Sequence, residues 1–89
     1  MADTTDAPKF EPVCGLNEEG VDAFLQEAEQ LDKGTDRFPW PDEFKNEVKY
    51  QISGMVRMDD VKRRINAYVV HKLGPGLLGR GPFNLPQVQ

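Results

Sequence analysis

Apolar side chains recur at helical spacing in three stretches of the chain. In NEEGVDAFLQEAEQLDKG, the residues Val21, Phe24, Leu25, Ala28 and Leu31 fall on one side of a helix, with carboxylates and amides on the other. Asn17 is of a type that caps a helix start, Glu18 and Glu19 suit the positive end of the helix dipole, and Gly34 is a stop signal. A first helix is therefore predicted from about Asn17 to Lys33. Phe44, Val48, Ile52 and Met55 form a second stripe behind Pro41, a proline expected in the first helical turn, and Ser53-Gly54 weakens the far end. A third stripe runs through Val61, Ile65, Tyr68, Val69 and Leu73; Asp59 or Asp60 is its expected cap and Gly74-Pro75 its end. The β-branched run near Val69 and Val70 also permits a strand over residues 67–73, but no second strand is there to pair with it.

Outside these stripes the periodicity disappears. Residues 1–15 carry Pro8 and Pro12 around Phe10 and read as an extended arm. RFPWP, Arg37 to Pro41, reads as a stiff connector that holds Phe38 and Trp40 in a defined direction. LGPGLLGRGPFNLPQVQ, Leu73 to Gln89, holds four glycines and three prolines yet keeps Leu77, Leu78, Phe83, Leu85 and Val88. Disordered tails are poor in such side chains. The expected organisation is an N-terminal arm over 1–15, a helical domain over 16–74 and a docking tail over 75–89. The fold class is mainly α: a small three-helix domain with extended N- and C-terminal arms.

Length allows one small core, since a chain of 89 residues leaves much of its surface exposed even when folded. Cys14 is the only cysteine and His71 the only histidine, which removes an internal disulfide and a Cys/His zinc site by count. A nucleophilic thiol needs a neighbouring base, and nothing in PVCG supplies one. The acidic residues of the first helix lack the alternation of a calcium loop, and the C-terminal glycines lack the Lys-Ser/Thr helix start of a phosphate loop. No catalytic residue, metal or cofactor is expected. The start of the chain lacks the pattern of a secretory leader and no segment is apolar enough to span a bilayer, so the expected setting is a reducing, cytoplasm-like compartment without membrane insertion.

The net charge of −4 conceals two unlike halves. Residues 1–47 hold thirteen Asp or Glu against four Lys or Arg; residues 48–89 hold two against seven. Complementary packing of the halves accounts for this without any ligand. Arg57, Lys62, Arg63 and Arg64 form the densest basic cluster, and a nucleic-acid-binding regulator using them is the alternative reading, weakened by a connection too long for a helix-turn-helix. The favoured expectation is a non-catalytic accessory subunit, assembly factor or regulator that docks on a larger protein or another copy of itself. Its expected contact residues are Phe10, Phe38, Trp40, Leu77, Leu78, Arg80, Phe83 and Leu85. Ordering such a tail costs about as much as burying its side chains returns, so it must lie on a surface already formed, its own or a partner's.

Overall fold

A computed structural model describes residues 9–76 and 80–85. It contains three helices, α1 (Glu18–Leu31), α2 (Asp42–Gln51) and α3 (Met58–Leu73), and no regular strand among the described residues. The three apolar stripes are the helices. Residues 67–73 continue α3 to its end and form no strand. Each stripe turns inward except for Leu31, which is 56% exposed at the end of α1: Val21, Leu25 and Ala28 from α1, Phe44 and Val48 from α2, and Val61, Ile65 and Val69 from α3 share one core with Val13, Trp40 and Ile52.

The helix ends differ from expectation in informative ways. Asn17 caps α1 as predicted, its side-chain oxygen accepting from the Gly20 N–H at 2.8 Å. The helix stops at Leu31, short of Lys33, because Asp32 leaves the helical path and its carboxylate is taken by side chains beyond it. Pro41 is the N-cap of α2 rather than its first helical residue. The third helix begins before Asp59 and Asp60: Arg57 is the N-cap, and both aspartates lie in the first turn, where the dipole favours them. Gly74 ends α3 with φ of 114°, and its N–H donates to the carbonyls of Val69 and Val70.

The described part of the N-terminal arm belongs to the domain. Val13 and Leu16 exchange backbone hydrogen bonds across Cys14 and Gly15, both at positive φ, as in a two-residue hairpin turn. The arm then lies along the α2–α3 connection. The Glu11 N–H donates to Ser53 Oγ at 2.7 Å, the Gly54 N–H to the Glu11 carbonyl at 3.3 Å, and the Cys14 N–H to the Met55 carbonyl at 2.9 Å. Val13 is 1% exposed, so the arm supplies a core residue.

Helix α2 is the middle member of the bundle, packing on α1 and on α3, while α1 and α3 make no close backbone approach to each other. The C-terminal segment enters on that side. Phe83 stacks on Phe24 of α1 with ring centres 5.7 Å apart and planes 8° from parallel, and Lys62 of α3 places its ammonium 5.5 Å from the centre of the Phe83 ring. Asn66 of α3 clasps the same residue, its Nδ2 donating to the Phe83 carbonyl at 2.8 Å and its Oδ1 accepting from the Phe83 N–H at 2.9 Å. For residues 80–85, the surface under the tail is the protein's own.

Candidate functional site

The most buried polar group of the molecule holds the tail from beneath. Asp32, 1% exposed, accepts from Arg37 Nη2 at 2.8 Å through one oxygen and from the Trp40 indole N–H at 2.9 Å through the other. The same guanidinium donates through Nη1 to the carbonyls of Gly74 at 3.0 Å and Arg80 at 2.8 Å. Arg37 therefore ties the end of α1, the end of α3 and the tail together. Glu29, also buried, receives the Trp40 backbone N–H at 2.9 Å and the Lys45 ammonium at 3.0 Å, extending the network to α2. Taking charges out of water is costly unless each is paired and hydrogen-bonded; the carboxylates and the ammonium here are so partnered, while Arg37 Nε is buried without a hydrogen-bond partner.

Gly81 explains how the tail lies so close. A Cβ at this position would stand 2.5 Å from the Asn66 Cα and Oδ1. Only glycine lets the backbone press against α3 and reach the Asn66 amide. Residues 80–83 then make a ridge with a depression on each side. One depression lies toward α1 and the connector, between Leu31, Thr35, Arg37 and the tail. The other lies toward α3 and is lined by Arg63, Asn66, Ala67, Val70, His71, Arg80 and Gly81.

The second depression is the candidate site. At 100° per residue, Arg63, Ala67 and Val70 point away from the core stripe of Val61, Ile65 and Val69. Its volume is about 590 Å³, it opens widely to solvent, and Ala67 and Val70 make its floor apolar. Arg63 and Arg80 stand at its edge with His71, and among the described residues no carboxylate lines it. Arg63 and Arg64 continue into an adjoining shallow hollow beside Met55 and Asp60.

The residues expected to contact a partner are distributed unevenly. Trp40, 3% exposed, is a core residue, its ring edge-on to Phe44 with centres 5.5 Å apart. Phe10 meets Tyr50 edge-on at 6.3 Å, and Phe83 packs on Phe24. Phe38 and Leu85 are half-buried, and Arg80 is exposed at the depression. Leu77 and Leu78 lie outside the described residues. Of the expected nucleic-acid contacts, Lys62 is over Phe83, Arg64 donates to the Gln51 carbonyl at 3.1 Å, and Arg57 and Arg63 approach Asp60 at 3.8 and 3.5 Å. Asn66, Ala67, Val70 and His71 were not expected at a site. Their signal was indirect: Ala67 and Val70 are apolar positions that fall outside the core stripe of α3.

Among the described residues, no group of three or more His, Cys, Asp or Glu side chains is placed to hold a metal ion, and Cys14 is half-buried in the hairpin turn. No helix there is long and apolar enough to cross a membrane. Comparison with known protein families, with curated proteins and with solved structures finds no match.

Proposed function

We propose that this protein is a non-catalytic binding module, an accessory subunit or regulator, that docks on a larger protein through the outward side of α3 and the tail beside it. The observation that carries the reading is the apolar floor of Ala67 and Val70, displaced from the core and flanked by Arg63, His71 and Arg80. A half-buried valine on the solvent side of a helix, beside a strap held in place by Asn66 and Arg37, supports a preformed contact surface. Preformed surfaces avoid the ordering cost that a loose tail would incur on binding. The engagement of Phe10, Trp40 and Phe83 within the domain moves the proposed contact from the arms to this face.

The nucleic-acid reading draws less support, because the basic cluster has Asp60 in its midst and Lys62 lies against Phe83. Affinity for duplex DNA would also fall steeply with salt. The test is affinity capture with the intact chain beside Val70→Glu and Ala67→Glu chains, followed by reconstitution with the purified captured protein. The expected result is binding by the intact chain and at least about tenfold weaker binding by both variants, with unchanged helical circular dichroism. Equal binding by all three chains would remove this face from the function.

A further inference from the structure

Resting on that reading, we infer that the depression between α3 and the tail takes a short acidic amphipathic helix of another protein, with one or two apolar side chains on Ala67 and Val70 and carboxylates toward Arg63 and Arg80. Charge sets the first half of this assignment. From Val61 to Gln89 the chain has no Asp or Glu, whereas it has Lys62, Arg63, Arg64, Lys72 and Arg80. Arg63 and Arg80 border the depression from two separate segments, and among the described residues no carboxylate lines it. Asp60 lies beyond one end, at the first turn of α3, where it serves Arg57 and Arg63 at 3.5 Å or more. An occupant with basic flanks would meet like charge at both borders, and one with neutral flanks would offer no counter-charge to Arg80 and leave Arg63 with its approach to Asp60 at 3.5 Å.

Shape sets the second half. From Arg63 to His71 the helix advances about 12 Å, two turns, so the floor accommodates one or two anchors rather than a long stripe. Ala67 is small, which permits a partner's backbone to approach α3 closely, and Val70 offers the branched surface against which a leucine or phenylalanine packs. The tail backbone at Gly81 closes one side and is held against α3 with no room for adjustment. The other occupant with suitable charge is α1 of a second copy, whose outward side carries Glu19, Asp22 and Glu27. That contact joins two different faces, so repeated from copy to copy it gives a ring only where the rotation closes and an open filament otherwise, and Asp22 is already paired with Lys49 at 3.3 Å, which favours a different protein as the occupant.

The experiment uses the full chain labelled with nitrogen-15 and two synthetic helical peptides, identical in their leucine anchors, one flanked by glutamates and the other by lysines. The glutamate peptide is expected to shift the amide signals of Ala67, Val70, His71 and Gly81 and to bind at least about tenfold more tightly than the lysine peptide. Arg63→Glu combined with Arg80→Glu, both exposed, is expected to reverse that preference while the spectrum of the core stays in place. Equal binding of the two peptides, no binding of either, or shifts centred elsewhere would overturn the assignment. So would tighter binding of duplex DNA at the same amides, or shifts there that follow protein concentration alone and mark a second copy as occupant. Should the captured protein lose affinity for Val70→Glu yet present a neutral or basic segment, the acidic assignment fails and the docking function stands. Should it be indifferent to Val70→Glu and Ala67→Glu, the docking function itself fails.

Discussion

Arg37 illustrates how one side chain can serve three parts of a small protein. Its side chain is 4% exposed and paired with an Asp32 side chain that is 1% exposed. Breaking a buried pair leaves the surviving charge without compensation, which costs about 3–5 kcal/mol. Against a total stability of about 5–15 kcal/mol, Asp32→Asn or Arg37→Met is expected to bring the chain close to unfolding in urea titrations. The double variant Asp32→Leu with Arg37→Met should recover part of the loss, because no charge is then stranded. Retention of full stability by either single variant would contradict the role given to the pair. Lys49 makes the opposite kind of contact. Its pKa is raised above 10.5, chiefly by the hydrogen bond to Glu18 and against the pull of burial, with Asp22 assisting. Because the folded state holds the proton more tightly, this contribution is complete below 10.5 and disappears as pH rises through the elevated folded value. Stability measured across that alkaline range should fall less for Lys49→Met than for the unaltered protein.

The helices were legible as elements because each carries its apolar residues at one period, and Val21 to Ala28, Phe44 to Val48 and Val61 to Val69 all turned inward. The tail was legible only as a contradiction, apolar residues on a chain that could form no helix. What resolves it is a single close approach. Gly81→Ala would drive a methyl group to 2.5 Å from the α3 backbone at Asn66, so residues 80–85 are expected to lift from the domain. Loss of the ring-to-ring contact between Phe24 and Phe83 in proton NMR, with helical circular dichroism retained, would report that release. An intact contact in the variant would show that the backbone has slack where none is described. Nothing in the periodicity of α3 marks Asn66 as the clasp, since it lies between the core stripe and the outward face. The buried polar network was hidden for a similar reason: Glu29, Asp32 and Arg37 have the side chains of surface residues, and only their pairing permits burial.

At the scale of the molecule, the described parts of the arm and the tail pack on the three helices. The arm contributes Val13 to the core and the tail contributes Phe83 to the seam between α1 and α3. Removal of residues 80–89 is therefore expected to lower unfolding stability by about 2 kcal/mol or more, through loss of the aromatic contact and the Asn66 and Arg37 hydrogen bonds. A truncated chain as stable as the intact one would return the tail to the status of a free extension. The uneven charge of the two halves acquires a structural reading at this scale. Part of it is spent internally, in Lys49 with Glu18 and Asp22, while Arg63 of α3 and Arg80 of the tail border the depression.

The contact of Phe83 with Phe24 also has a consequence for the order in which the protein is made. Translation delivers Phe24 and the residues of all three helices before Phe83, which seals the gap between two of them. Until then a ribosome-bound chain presents an uncovered aromatic side chain on α1, the sort of surface to which chaperones and neighbouring nascent chains adhere. A premature stop between Leu73 and Phe83 would leave that state permanent, and quality control would meet it as a three-helix chain with an open seam.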